Sequence, residues 1–260
     1  MCTLSFIPRA NGYLLGMNRD EKIARGAGYA PMVHRQDGIR AVLPSEKGGG
    51  TWIATNEYGI TLALLNWNIP VPQQSVRRSR GLIIPDLLPL MSAAKLNTAL
   101  TTYELARCAP FRLFAIIPGE GAVLQWRWDG AHLVNKTWCW DLRHWFSSSA
   151  SDNRAQELRG GVCSRASNDA SAGSLAWLRR LHQSHENGPG AFSICVHREL
   201  VETLSYTAVS CTGHKILTVH AIGNPCNARE AHIVEIQRVD SSISTAAHTK
   251  PHRIEKHGVC

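Results

Sequence analysis

The chain has 260 residues, a formal net charge of +8, 44% apolar and 18% charged residues. That length buries the core of one large domain or two small ones, and the balance excludes a disordered or fibrous chain. The positive charge is scattered, densest at Arg77-Arg78-Ser79-Arg80, with no basic stripe interleaved with aromatics, which argues against a nucleic-acid partner. No apolar stretch reaches the ~20 residues of a membrane-spanning helix. Ser5, Pro8, Arg9 and Asn11 interrupt the start, where a signal peptide carries its apolar run, so a cytoplasmic location is expected. The 8 cysteines form no C-x-x-C pair, and most are read as buried thiols outside any disulfide framework.

In chain order, residues 3–7 and 13–17 read as strands joined by Asn11-Gly12, the strongest short hairpin signal. A loop with Gly26, Gly28 and Pro31 precedes a strand at 39–43, and then comes the glycine triplet of Lys47-Gly48-Gly49-Gly50-Thr51-Trp52. An apolar strand at 60–65 ends in Asn66-Trp67-Asn68. Residues 81–107 carry helical periodicity, interrupted by Pro85 and Pro89. Strands return at 111–117, 123–128 and 132–137, with Asp129-Gly130 as the last turn. Trp126, Trp128, Trp138, Trp140 and Trp145 are read as packing rather than a ligand box.

Helices are expected at about 150–159 and 170–185, the second ended by Asn187-Gly188-Pro189-Gly190. Strands follow at 192–197, 203–211, 215–221 and 232–238, and residues 241–260 read as a flexible tail behind a domain of residues 1–240. The fold class is α+β, with antiparallel sheets and helices layered on them. His182 and His185 have helical i, i+3 spacing but no visible third ligand, so they read as a solvated face and no metal is expected. His197 reads either as a strand residue reaching the pocket or as structural, and His214 and His220 as strand-surface residues.

The chemistry concentrates at the start. Trimming Met1 turns Cys2 into a residue with both a thiol and an α-amine, titrating near pH ~8.5 and ~8, so the amine can serve as base for its own side chain. The hairpin returns Asn18-Arg19-Asp20-Glu21 beside that terminus.

Met1-Cys2, Asn18-Arg19-Asp20-Glu21, Gly49-Gly50-Thr51-Trp52, Leu65-Asn66-Trp67 and Ser79-Arg80-Gly81, in this order, resemble the NRDE family, also called the transport and Golgi organisation protein 2 family, over roughly residues 1–240. That family is similar in its order of elements to the cysteine N-terminal nucleophile hydrolases of the choloylglycine hydrolase and penicillin V acylase type. The resemblance implies a four-layer αββα sandwich, with Cys2 as nucleophile, Asp20 as orienting carboxylate and Asn66 as oxyanion donor. The hydrolases' arginine position holds Met17; Arg19, two residues on, keeps the same side of a strand. A second site asparagine of the hydrolases falls within Ser147–Ser149, here serine, with Ser148 at its centre. Asn18, Glu21, Thr51 and Trp52 complete the expected supporting set.

Two functions remain open on this scaffold. One is an amidohydrolase cleaving a non-peptide amide of a small molecule through a thioester, without a cofactor. The other is a non-catalytic carrier of haem or lipid, the roles associated with NRDE relatives. Oligomeric state is left undetermined.

Overall fold

The computed structural model describes residues 2–70, 78–186 and 188–240; the expected tail lies outside the described residues. The strands are β1 (Cys2–Arg9), β2 (Gly12–Lys22), β3 (Tyr29–Gln36), β4 (Ile39–Ser45), β5 (Ile53–Asn56) and β6 (Thr61–Asn66). Two short helices follow, α1 (Ile83–Leu87) and α2 (Ala93–Thr102), then β7 (Phe111–Ile117), β8 (Ala122–Trp128), β9 (Leu133–Trp138) and β10 (Arg143–Ser147). The chain continues through α3 (Asp152–Ala166), α4 (Leu175–His182), β11 (Val201–Cys211), β12 (Lys215–Ile222) and β13 (His232–Gln237).

The strands form a six-stranded sheet, β10-β1-β2-β11-β12-β13, and a seven-stranded sheet, β3-β4-β5-β6-β7-β8-β9. Strand alternation sorts their faces. Cys2, Leu4 and Phe6 of β1 and Tyr13, Leu15 and Met17 of β2 share one core with Val42, Ile53, Ala63, Leu65, Phe114 and Ile116 of the facing sheet. On the opposite face of the first sheet, Ile7, Leu14 and Phe146 pack under Val162 of α3 and Leu178 and Leu181 of α4. The outer face of the second sheet, with Ala54, Leu62, Leu64 and Leu113, is covered by Ile84 and Leu87 of α1 and Leu96 and Leu100 of α2. The result is the four-layer αββα sandwich.

The Asn11-Gly12 hairpin forms, in a register that sets Cys2 opposite Arg19. Gly12 stands at φ 147°, and a Cβ there would lie 2.0 Å from the Cys211 carbonyl oxygen, so the hairpin closes against β11 only with glycine.

Four expectations change. The helical stretch 81–107 divides into α1 and α2, because Pro89 follows α1 and Ser92 caps a new start by accepting from the Lys95 N–H. Residues 29–36, expected to be a loop, form an edge strand whose mostly exposed residues give no alternation signal and which accommodates Pro31. Residues 143–147, to which no strand was assigned, likewise form an edge strand, paired with β1. Residues 192–197 form no strand beyond a bridge between His197 and Glu202, because the Cys195 N–H goes to Ser184 O and the Val196 N–H to the Thr203 hydroxyl. The tryptophans pack as expected: Trp126 and Trp128 under α2, and Trp138, Trp140 and Trp145 against the inter-sheet core.

Candidate active site

Cys2 opens β1 in the interior of the first sheet, flanked by Ser147 of β10 and Arg19 of β2, and only 5% of it is exposed. It lines a cleft of about 410 Å³ together with Arg19, Asp20, Glu21, Thr51, Trp52, Asn66, Arg80 and Gly81. Burial pushes the Cys2 thiol up, and the Asp20 carboxylate adds to this while Arg19 opposes it, so the sulfur is protonated at neutral pH.

Arg19 shares the inward side of β2 with Met17, as alternation requires. Its guanidinium donates to Glu46 Oε1 at 2.6 Å and to the Gly26 carbonyl at 3.0 Å, and it lies 4.4 Å from the centroid of Trp52. Arg19 is therefore a fixed positive wall of the cleft. Glu46 and Glu21 both pair with Arg25 at the rim.

Asp20 occupies the other side of β2. Its Oδ1 accepts from the Thr203 hydroxyl at 2.7 Å, and its Oδ2 lies 3.4 Å from Arg159 Nη1. Burial raises its carboxyl and Arg159 counters that rise. Arg159 also donates to Thr3 Oγ1 at 2.8 Å and to the Ala191 carbonyl at 3.2 Å. Sequence reasoning passed over Arg159; an arginine on the apolar side of a helix next to Ala155 and Val162 was its only signal.

The glycine motifs meet in space. Thr51 N–H donates to Gly81 O at 3.0 Å, and a Cβ on Gly50 would stand 3.2 Å from the Gly81 carbonyl carbon. The Gly49-Gly50-Thr51-Trp52 and Ser79-Arg80-Gly81 segments thus form one cleft wall by backbone approach. Thr51 uses its hydroxyl on the Ile53 carbonyl, and Trp52 backs Arg19. Arg80, also not singled out for the site, lines the cleft; burial lowers its pKa, whereas the charge of Glu21 favours its cationic form. Asn66 ends β6 at the cleft.

Asn18 and Ser148 lie outside this cleft. Asn18 Nδ2 donates to the carbonyls of His182 and Ile194, both at 2.9 Å, and its Oδ1 accepts from His182 Nδ1 at 3.0 Å. Ser148 donates to the Ala191 carbonyl, and its N–H goes to Asp152. Both fasten the helical layer to the sheet. His182 is fully buried, not on a solvated face, and His220 is likewise buried against the Thr207 hydroxyl rather than at the strand surface. His185, by contrast, faces Cys195, His197 and Cys226.

A four-layer αββα sandwich with a cysteine opening an interior strand has the fold of the N-terminal nucleophile hydrolases. The chain is similar to the penicillin V acylase from Agrobacterium tumefaciens, with TM-score 0.52 and 10% identity over 91% of this chain and 86% of that one. It is also similar to a mutant conjugated bile acid hydrolase from Clostridium perfringens, with TM-score 0.50 and 9% identity over 91% of this chain and 92% of that one. Residues 1–125 match the model of the family described as Transport and Golgi organisation 2. Among curated proteins no sequence matches it.

Proposed function

We propose that this protein is an N-terminal cysteine amidohydrolase that cleaves a non-peptide amide of a small molecule. The observation that carries the reading is the convergence of Cys2, Arg19, Asp20 and Asn66 on one cleft of about 410 Å³, the size of a small-molecule pocket.

With Met1 removed, the α-amine of Cys2 takes the thiol proton, directly or through one water. A thiol held protonated by burial gains its nucleophilicity only when this base acts. The sulfur attacks the amide carbon, and the Asn66 amide and backbone N–H groups receive the developing oxyanion. The tetrahedral intermediate collapses with cleavage of the C–N bond. The ammonium of Cys2 gives its proton to the leaving amine, and a thioester remains. Water, deprotonated by the same amine, attacks the thioester, releasing the carboxylic acid and returning the thiol. Asp20, held by Thr203 and Arg159, orients the amine.

Intact-mass measurement of the purified protein, followed by labelling with an amide- or ester-directed electrophile, tests the scheme. Loss of Met1, modification at Cys2, and loss of that modification in Cys2→Ala are the expected results. Retained Met1, or labelling that ignores Cys2, rules out the self-activated nucleophile. A saturable haem titration unchanged in Cys2→Ala, with no labelling, favours the carrier reading instead.

A further inference from the structure

On the helical side of the first sheet, away from the cleft, His185, Cys195, His197 and Cys226 each bring one donor atom within 4.8 Å of the others. The four come from three separate segments: the chain just after α4, the extended stretch before β11, and the turn after β12. His197 Nε2 lies 3.6 Å from Cys195 Sγ and 3.4 Å from Cys226 Sγ. A tetrahedron with Zn–S near ~2.3 Å and Zn–N near ~2.05 Å has its donor atoms about 3.3–3.8 Å apart. Both separations fall on that edge length, and the remaining donor pairs, all within 4.8 Å, close onto it with small side-chain rotations around a central ion.

A second observation is independent of those distances. His185 Nε2 is buried and has no hydrogen-bond partner among the described residues, while its ring stands edge-on to His197 with centroids 4.8 Å apart. A buried ring nitrogen without a partner is costly unless something fills its lone-pair direction. On the far side of the His197 ring, Nδ1 faces the Glu202 carboxylate at 3.9 Å, and Asn224 donates to that carboxylate at 3.2 Å. Metal-bound histidines are commonly oriented by a carboxylate in this place.

We propose that His185, Cys195, His197 and Cys226 bind one zinc ion in a closed, tetrahedral Cys2His2 site. Two thiolates and two neutral imidazoles suit zinc, and four protein ligands leave no position for substrate, so the role is structural. None of the four lines the cleft. The ion ties the irregular segment after α4 to the 223–227 turn. The beneficiary is the strand that positions Asp20: the Val196 N–H donates to the Thr203 hydroxyl at 2.8 Å, and that hydroxyl donates to Asp20 at 2.7 Å. Zinc binding displaces the two thiol protons to solvent and involves no redox change.

The test uses the full chain, reduced, incubated with zinc and then desalted, with metal quantified by elemental mass spectrometry. The expected result is one equivalent of zinc per chain, abolished in the Cys195→Ser/Cys226→Ser double variant and bound ~10-fold more weakly in Glu202→Gln. Cobalt exchange on the wild-type chain gives a second readout that needs no variant to fold: thiolate-to-cobalt charge transfer together with the visible bands of a tetrahedral ion. Zinc content no higher than in the double variant, absence of the tetrahedral cobalt bands, or a Cys195–Cys226 disulfide that persists under reduction each overturns the proposal.

Discussion

Arg159 and Asp20 form an ion pair of 3.4 Å in which both side chains are completely buried, between α3 and the sheet that carries Cys2. Removing one partner of such a pair leaves the other charge without compensation, which typically costs about 3–5 kcal/mol. Arg159→Met is therefore expected to lower unfolding free energy by that order. The double variant Asp20→Asn/Arg159→Met should recover part of the loss, because it removes both charges. Urea unfolding of the two variants and the parent checks this; equal losses in the single and double variants contradict it.

The second prediction concerns the Cys2 thiol. Because burial pushes it up, its thiolate is scarce at neutral pH and grows only above the ordinary thiol range. Before any base-assisted reaction, alkylation of Cys2 should be slow and continue to accelerate with pH beyond the ordinary thiol range. Site-resolved mass spectrometry over a pH series follows Cys2, and a rate that levels off within the ordinary thiol range contradicts the prediction.

A third prediction comes from the cleft wall. A Cβ at Gly50 would sit 3.2 Å from the Gly81 carbonyl carbon, so Gly50→Ala must push two backbones apart, at a cost of about 1–3 kcal/mol. Gly48 has open space around its Cβ direction and no positive φ, and Gly48→Ala should be near neutral. Thermal unfolding of both variants reads the contrast, and an equal shift in Tm is evidence against a packed Gly50–Gly81 contact.

Acid sensitivity follows from buried histidines. Burial lowers His182 to about 3 and His144 and His220 to about 4, from 6.5. The native state keeps them neutral while the unfolded chain binds protons, so their contribution is complete above pH 6.5 and is lost as pH falls toward 4 and then 3. The slope is at most about 1.4 kcal/mol per pH unit for each group. Asp20, raised by burial, acts with the opposite sign at the acid end. His182→Gln should flatten the fall in stability between pH 6 and 4, as measured by denaturant midpoints across that range.

Local patterns made much of this molecule legible. Asn11-Gly12 predicted the hairpin, and the hairpin register alone puts Arg19 opposite Cys2. Strand alternation put Arg19 on the same side as Met17, and Met17 belongs to the core shared with the second sheet. The short motifs resembled a family, and residues 1–125 match its model. The strands at 29–36 and 143–147 were not legible because edge strands owe their form to a neighbour's hydrogen-bonding groups more than to their own alternation.

By itself, then, the sequence determined the hairpin, the shared side of Met17 and Arg19, and the short motifs of which several converge on the cleft. Only the tertiary structure decided that Asn18 pins α4 instead of lining the cleft, that Arg159 neutralises Asp20 from 139 positions away, and that four residues from three segments, His197 among them, gather in one cluster. Register and alternation are properties of neighbours along the chain, whereas a buried charge's partner is set by which surfaces remain to cover it after the layers pack.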